Sequence, residues 1–223
     1  MAKSHKYSVV QSSSVRYANV TKSYPNTNKL PCLALCDLMD GCSSVNHNSD
    51  THECELTSHV PSILAPEPAT ASNWRVYYND RFIHGVDAWQ ASTYYFLSSN
   101  LAIDGNYKNY IEEDISGHCA HTNGGSSSWT MELERVADVS YVRIYFRNQM
   151  ANNFRNTNIR LLISETKEDS DNNIGTDCAN YVGPPESPAL PVKVTCTQPV
   201  TGKFLKLIRA GTLTLCEVEV YSV

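Results

Sequence analysis

The chain has 223 residues, of which 41% are hydrophobic and 18% charged, and its formal net charge is −5. This composition is typical of a globular protein, and the weak acidic balance argues against a nucleic-acid partner, because phosphate contacts need a basic patch. No apolar stretch approaches the roughly 20 residues that cross a bilayer, so we expect no transmembrane segment. The length favours two domains, each with its own core.

The eight cysteines form two groups of four along the chain, an even number that favours disulfides and an oxidising compartment. Asn19-Val20-Thr21 is an N-glycosylation sequon, which agrees with secretion. The first residues lack the apolar run of a signal peptide. We therefore expect a secreted, extracellular protein whose signal peptide was removed before this sequence begins, with Met1 supplied for expression.

Residues 7–78 show the pattern of a strand, a helix, short strands and a closing strand. The helix is expected to begin near Asn28 or Pro31, because proline suits a first helical turn. It is expected to end at Gly41, because glycine suits a position after the helix that needs positive φ. A proline-rich loop, residues 61–68, precedes the closing strand.

Four half-cystines lie in this first region. Cys32 and Cys36 are four residues apart and share one helix face, so each can be linked to a strand beneath through Cys42 or Cys54. The characteristic segments are Cys32-Leu-Ala-Leu-Cys36, Cys42-Ser-Ser-Val-Asn46, Cys54-Glu-Leu56 and Trp74-Arg-Val-Tyr77. Together they resemble the PAN/apple module. The resemblance implies a helix on an antiparallel sheet, disulfides Cys32–Cys54 and Cys36–Cys42, and contacts with a protein or glycan rather than catalysis.

The same region allows an alternative interpretation as a zinc site. Its ligands would be His47, His52, Cys54 and His59, since imidazole and thiolate are the usual zinc donors. The cysteine spacing does not form a pair of C-x2-C hooks, and an oxidising compartment would convert the thiolates to disulfides.

The domain boundary is expected within residues 79–85, which gives domains of residues 1–80 and 81–223. Beyond it, short alternating runs separated by Gly, Asn and Ser clusters predict an antiparallel sandwich or barrel, and a mainly β chain. The predicted strands include residues 129–133, 142–146, 204–209 and 213–221.

A second resemblance covers residues 84–223. Its segments are Ala88-Trp-Gln-Ala-Ser-Thr93, Ala102-Ile-Asp-Gly-Asn106, Cys119-Ala-His121-Thr-Asn123 and Leu215-Cys-Glu-Val-Glu-Val-Tyr221, with Arg147 and Arg155. Together they resemble the F-type lectins, fucose-binding relatives of the discoidin-like domain. The resemblance implies a jelly-roll β-sandwich with disulfides Cys119–Cys216 and Cys178–Cys196.

The sugar-binding signature of that family is a histidine, an arginine about two dozen residues later, and a second arginine in the same loop. His121 and Arg147 are 26 residues apart, and Arg155, eight residues further, takes the second arginine position with one residue inserted in the loop. A neutral imidazole and two guanidinium groups can address the ring oxygen and neighbouring hydroxyls of one monosaccharide. We expect Tyr110 and Ile111 to face the methyl group of L-fucose.

One segment departs from the family. Many members follow the first arginine with Gly-Asp and a vicinal Cys-Cys pair, whereas this chain has Asn148-Gln-Met150-Ala-Asn-Asn-Phe154. We expect Met150 or Phe154 to supply an equivalent apolar surface. The departure also fits an alternative function, a discoidin-like adhesion module that binds protein or lipid without a fucose site. Exposed Trp or Phe side chains at loop tips would favour that alternative.

The lectin resemblance also implies a calcium ion behind the sugar-binding loops, held by oxygen donors. The matching donors are the main-chain carbonyls of Leu101, His118 and Cys216 and the side chains of Asp104, Asn106 and Glu217. Alternatively, residues 104–106 form only a tight turn, since Asp, Gly and Asn favour turns. His118 and His121 also suggest zinc, but the resemblance assigns the intervening Cys119 to a disulfide.

Catalysis is not expected, because the sequence contains no serine, cysteine or metal-hydrolase signature, and the acidic run Glu112-Glu-Asp114 is typical of a solvated loop. The sequence therefore predicts a secreted, non-enzymatic, calcium-dependent lectin for L-fucose or fucosylated glycans. Homo-oligomerisation, or contact of the apple-like domain with a second protein or glycan, would add avidity.

Overall fold

The computed structural model describes residues 7–10, 14–18, 20–39, 42–57, 66–79, 81–109 and 117–223. The chain divides into two compact units, Met1–Phe82 and Ile83–Val223. Within the described ranges, no helix is both long and apolar enough to cross a membrane. Several features of the sequence analysis lie outside the described residues: Asn19, Gly41, His59, Tyr110, Ile111 and the acidic run 112–114.

In the first unit, a helix packs on an antiparallel sheet. The elements are β1 (Tyr7–Val9), β2 (Val15–Arg16), β3 (Lys22–Tyr24), α1 (Lys29–Leu38), β4 (Ser44–Asn48), β5 (Cys54–Thr57), β6 (Glu67–Pro68) and β7 (Trp74–Asn79). The five-stranded sheet has the order β1-β7-β4-β5-β3, and β2 pairs with β6 in a separate ribbon. The predicted α+β arrangement is confirmed.

Helix α1 ends earlier than the sequence predicts. Met39 has extended backbone angles (φ −96°, ψ 124°) and its N–H donates to Cys36 O, so the helix ends at Leu38 rather than at Gly41. The Cys36–Cys42 disulfide spans only 6 residues. It joins the last turn of α1 to the segment just before β4.

The core of the first unit is built around its cystines. The cluster around them consists of buried Cys32, Cys36, Cys42, Val45, Cys54 and Leu56. The disulfides are Cys32–Cys54 and Cys36–Cys42, the pairing that the PAN/apple resemblance implies. Cys32–Cys54 fastens α1 to β5. Such cross-links compensate for the limited apolar area that a small domain can bury.

The second unit is dominated by long antiparallel strands. Strand β8 (Phe82–Ile83) lies at the boundary, and the strands that follow are β9 (Gly85–Gln90), β10 (Ala120–His121), β11 (Ser126–Phe146), β12 (Ile159–Ser164), β13 (Thr176–Tyr181), β14 (Val192–Ala210) and β15 (Thr214–Ser222). The order is β10-β15-β11-β14-β12-β13, with β9 also paired to β11. Two short 3-10 helices, Ser99–Ala102 and Met150–Arg155, and the helix α2 (Lys167–Asp171) connect the strands. The predicted mainly β class is confirmed.

Strand β11 is continuous over 21 residues, where the sequence predicts two strands, 129–133 and 142–146. Its register shifts between Glu132 and Ala137 and again between Val139 and Tyr141. Its residues Trp129–Leu133 pair with β9, and from Val139 onward it pairs with β15. Bulges bend a strand and let it change partner, so the interruption in the pattern is a bend and not a loop.

The core of the second unit lies between alternating apolar side chains of these strands. Trp129, Met131 and Leu133 are fully buried and follow the two-residue period of a strand. Further fully buried members include Ile144, Leu161, Leu205, Leu207 and Val220. The disulfides are Cys119–Cys216 and Cys178–Cys196, as the lectin resemblance implies.

Candidate functional site

The three predicted sugar-binding side chains come from three segments at one end of the sheet. His121 ends β10, Arg147 directly follows β11, and Arg155 ends the 3-10 helix Met150–Arg155. Strand β15 lies between β10 and β11. Its residue Leu215 pairs with Ala120, which precedes His121, and with Phe146, which precedes Arg147. The strands β10 and β11 are therefore two strand spacings apart, about 10 Å. The side chains of a histidine and an arginine can together span this distance.

His121 is buried and presents a defined hydrogen-bonding face. Its Nδ1 lies 2.8 Å from Thr122 O, and because a carbonyl oxygen only accepts, Nδ1 carries the proton and Nε2 offers a lone pair. Burial lowers the pKa of His121; the Thr122 contact partly offsets this, and the charges of Arg147 and Arg155 lower it further. The ring is therefore neutral near pH 7, with Nε2 available to accept a hydrogen bond.

Arg147 is half-buried beside a second cation. Its Nε is fully buried and has no hydrogen-bond partner among the described residues. Burial lowers the pKa of Arg147, and the charge of Arg155 lowers it further, although Tyr94 partly offsets this. An unsatisfied buried N–H is costly, and so is a pair of neighbouring guanidinium groups. Both costs would decrease if oxygen atoms of a bound ligand accepted hydrogen bonds from these guanidinium groups.

Arg155 is positioned by a clamp that the sequence analysis missed. The side chain of Arg209, at the end of β14, donates through Nε to Thr157 O at 2.8 Å and through Nη1 to Thr212 O at 3.0 Å. It thereby links the segment after the 3-10 helix to the turn before β15. The guanidinium of Arg155 lies 5.6 Å from the ring centroid of Phe154, over its face. Nothing local in the sequence marks Arg209, because its partner Thr157 is 52 residues away in the chain.

Tyr94 borders His121 and was also missed. The two ring centroids are 4.8 Å apart, and Tyr94 N donates to His121 O at 2.9 Å. Gln90, at the end of β9, donates through Nε2 to Leu97 O at 3.0 Å and to His121 O at 3.3 Å. One amide group therefore connects the aromatic loop that follows β9 to the main chain of His121.

The residues predicted to form apolar contacts with the sugar lie only partly within the described part of the chain. Phe154 and Met150 are 62% and 66% exposed on the 3-10 helix that carries Arg155. They provide exposed apolar surface beside that cation. Tyr110 and Ile111, expected to face the methyl group of the sugar, lie outside the described residues.

The six predicted calcium-binding residues come from neighbouring segments. Leu101 lies in the 3-10 helix Ser99–Ala102, Asp104 and Asn106 follow it, and Glu217 lies on β15. Glu217 Oε2 accepts a hydrogen bond from Gly105 N at 3.1 Å. Asn106 Nδ2 lies 3.1 Å from His118 Nδ1, and the disulfide next to His118 joins Cys119 to Cys216.

The chemistry of this set fits a hard cation. Glu217 is 5% exposed, and its pKa is raised well above the usual value by burial and by the carboxylates of Asp104 and Glu219. A buried carboxylate beside other acids is costly unless a cation compensates. The tight-turn alternative is also visible, because Asp104 Oδ1 accepts from Asn106 N at 2.8 Å. That turn does not account for the burial of Glu217.

A second buried acid anchors the same loop. Glu219 is fully buried, and its carboxylate accepts hydrogen bonds from Tyr107 Oη at 2.9 Å and Tyr221 Oη at 3.1 Å, with Arg143 Nη1 at 3.4 Å. Side chains on β15 thus hold the residues after Leu101 at two points, Gly105 and Tyr107.

The zinc interpretations are not supported. Cys54 and Cys119 are both in disulfides, so neither is a thiolate. His47 Nε2 lies 3.0 Å from Thr27 O, and the rings of His47 and His52 are 6.5 Å apart. Within the described part of the chain, no three or more His, Cys, Asp or Glu side chains are grouped to hold a metal. The expected calcium set has only two such side chains and three carbonyls, so this finding does not bear on it.

Comparison with known proteins gives matches to both units. Residues 6–81 match the model of the PAN domain. Fucolectin-2 from Anguilla japonica is 33% identical over 122 residues, which cover 53% of this chain and 63% of the relative. Fucolectin-3 from the same organism is 31% identical over 128 residues, with coverages of 56% and 67%. The chain thus spans less than two thirds of the first relative and two thirds of the second.

Two solved structures share the fold. One is a fucolectin from the serum of Morone saxatilis (striped bass), with a TM-score of 0.51 and 21% identity, covering 81% of this chain and 72% of the other. The other is a fucose binding module of Streptococcus pneumoniae, with a TM-score of 0.50 and 23% identity, covering 63% of this chain and 93% of the other. At these identities the likeness establishes the fold alone.

Proposed function

Because the chain belongs to the fucolectin, or F-type lectin, family and carries a PAN domain before its lectin unit, we propose that Ile83–Val223 binds L-fucose on glycans. Both resemblances of the sequence analysis are confirmed by the matches to the two units. The observation that carries the proposal is the grouping of a neutral His121 with Arg147 and Arg155, where the buried Nε of Arg147 has no partner among the described residues.

The three side chains divide the work of recognition. The guanidinium groups of Arg147 and Arg155 only donate, so they address lone pairs on the sugar hydroxyls and the ring oxygen. Nε2 of His121 accepts, so it addresses a hydroxyl proton. A sugar must therefore offer acceptors and a donor in a fixed relative orientation, and this requirement selects one face of one monosaccharide.

Apolar surface next to these groups supports a 6-deoxy sugar. The exposed ring of Phe154 lies beside Arg155, and the ring of Tyr94 lies beside His121. Burying the methyl group of fucose against such a surface gains about 0.8 kcal/mol. A hydroxymethyl group in its place would be desolvated without a partner. We assign the methyl contact to Phe154 and to the predicted pair Tyr110 and Ile111.

We also propose calcium dependence. The carbonyls of Leu101, His118 and Cys216 and the side chains of Asp104, Asn106 and Glu217 would hold the ion. When bound, calcium supplies positive charge that compensates the carboxylates behind the sugar-binding loops. The burial of Glu217 next to other acids supports this proposal. The chain's own contribution is the fixed loop, held to β15 through Gly105 and Tyr107.

The proposed lectin is non-enzymatic and extracellular. Four disulfides with no free cysteine support an oxidising compartment. The apple-like unit would contact a second protein or glycan, and a homo-oligomer would multiply a weak single site. The alternative, an adhesion module that binds lipid or protein, has one observation in its favour, the exposed side chains of Phe96, Phe154 and Met150.

Calorimetric titration of the intact chain with L-fucose and L-galactose tests the proposal. The two sugars differ only by a methyl or a hydroxymethyl group at carbon 5, so the comparison isolates the apolar contact. We expect millimolar or tighter binding of L-fucose, weaker binding of L-galactose, and loss of both in a calcium chelator. Absence of any response to millimolar L-fucose in the presence of calcium would reject the lectin assignment and favour the adhesion module.

A further inference from the structure

The outer face of helix α1 is apolar and exposed. Leu30 and Leu38 are 73% and 84% exposed, and Ala34, midway between them, is exposed as well. Residues four apart lie on one side of a helix, so these three side chains form a continuous row. The row is opposite the buried side of α1, which carries Cys32 and Cys36. Because a helix that is apolar on both sides is normally covered on both, we expect another surface to cover this row.

The charged side chains of α1 are directed away from the row. Among the ten residues of the helix, the charged ones are Lys29 and Asp37. Asp37 accepts a hydrogen bond from Tyr7 Oη, on β1, at 2.8 Å. The ammonium of Lys29 lies 5.5 Å from the ring centroid of Tyr77, on β7. Both charges therefore face the sheet, and the row carries no charge that would repel an identical row.

The row is complementary to itself. Leu30 and Leu38 are each four residues from Ala34, so a twofold axis through Ala34 places Leu30 of one copy against Leu38 of the other. The small side chain at the axis lets the two helices approach closely. Rows of residues four apart are also the ridges that interlock in the commonest class of helix crossing. A partner of different sequence would need none of this symmetry.

We propose that α1 pairs with α1 of a second copy of the chain, through Leu30, Ala34 and Leu38, in a symmetric dimer. The contact does not require the sugar site. It rests on the proposed function only for its consequence, because a dimer that joins two lectin units would bind clustered glycans with higher avidity than one unit.

The size of the row indicates that the dimer is weak and reversible. Ten helical residues extend over about 15 Å, and one side of so short a helix provides less than the roughly 800 Å² that each partner contributes to a standard interface. We therefore expect a dissociation constant in the micromolar range. At lower concentrations the chain should be a monomer.

Sedimentation equilibrium of the intact chain, from nanomolar to high micromolar concentration, tests the dimer. Leu38→Glu places a carboxylate against Leu30 of the other copy, and the symmetry introduces this change twice. We expect the dissociation constant to increase about tenfold or more. Leu190→Glu is a matched control, because Leu190 is 64% exposed in the second unit. It should dimerise like the parent, and both variants should unfold at the parental denaturant midpoint, since exposed side chains are replaced.

A cross-link tests the position of the twofold axis. All eight cysteines of the chain are in disulfides, so Ala34→Cys adds one free thiol per chain. Two such thiols would meet at the axis, and mild oxidation should give a disulfide-linked dimer on a non-reducing gel. Leu190→Cys, with its thiol away from the row, should remain largely monomeric under the same conditions.

The pairing of α1 is refuted if the parent is monomeric over the whole concentration range. It is equally refuted if Leu38→Glu dimerises as well as the parent, or if Ala34→Cys cross-links no more than Leu190→Cys. A monomeric parent that sediments with phosphatidylcholine–phosphatidylserine vesicles, while Leu38→Glu does not, would assign the row to a membrane instead. Leu38→Glu should keep the parental affinity for free L-fucose. A parent that dimerises through α1 but does not bind L-fucose would reject the proposed function and retain the dimer.

Discussion

Replacing Arg147 with alanine separates binding from stability. In the free protein, Nε of Arg147 is buried without a partner among the described residues, and burial and Arg155 both disfavour its charge. Removing the side chain relieves these costs, so we expect the free energy of unfolding to stay within about 1 kcal/mol of the parent or to increase. In the complex, charge-assisted hydrogen bonds worth about 1.5–3 kcal/mol are lost, which weakens fucose binding about 10- to 100-fold.

Arg147→Lys distinguishes geometry from charge. It keeps the positive charge but replaces a planar fork with a single ammonium, so we expect fucose binding to be weakened here as well. Arg160→Ala is the control, since Arg160 forms a surface ion pair with Asp177 on the neighbouring strand. Calorimetry with L-fucose and denaturant unfolding of each variant give the two quantities. Parental affinity in Arg147→Ala, or a loss of stability well above 1 kcal/mol, would show that this arginine has a structural role.

Three further predictions follow from the site. Chelation of calcium should lower Tm of the parent, because a ligand that binds only the folded state stabilises it. Glu217→Gln should remove this response. In chelator the variant should be at least as stable as the parent, since it eliminates a buried carboxylate that other acids repel. If chelator lowered Tm of the variant as much as that of the parent, the assignment of Glu217 to the calcium site would be wrong. Fucose affinity should stay constant from pH 8 to pH 6.5 and fall only at lower pH, because burial and two arginines hold the pKa of His121 below 6.5. The imidazole of His121 binds a proton more readily in the unfolded chain than in the folded one, so the free energy of unfolding should also fall below pH 6.5. Calorimetry across pH measures the affinity, and a midpoint above pH 6.5 would contradict a neutral His121 as the acceptor. Replacing Cys119 and Cys216 together by serine should lower the free energy of unfolding by up to about 5 kcal/mol, as expected for a disulfide that closes a long loop. Denaturant unfolding measures this change, and an unchanged free energy of unfolding would show that the cross-link does not stabilise the fold.

Local patterns in the sequence predicted much of the fold. Alternating apolar residues indicated the strands, and the spacing of Cys32 and Cys36 indicated a helix face with two cross-links. The family motifs then supplied the disulfide pairing and the site residues. The bend in β11 could not be predicted, because the residues between Glu132 and Val139 break the alternation in the same way as a loop would. Whether such an interruption is a bulge or a loop depends on which strands pair with it.

Tertiary contacts account for the parts of the site that sequence reasoning missed. Arg209 acts on Thr157, and Gln90 acts on His121, across sequence distances that no local pattern records. Tyr94 and Tyr95 lie within three residues of Leu97, which is buried, so their exposure depends on the conformation of the loop. Hydrogen bonds to the main chain fix that conformation, and their donors show no periodicity.

The central position of β15 has a consequence for biosynthesis. This strand separates β10 from β11, carries Cys216 and Glu217, and follows every other strand of its unit in the chain. Translation proceeds from the N-terminus, so β15 is the last of these strands to leave the ribosome. Until then the segments that carry His121 and Arg147 have no common strand to pair with. Newly made chains should therefore assemble the proposed sugar-binding site only after β15 has been synthesised.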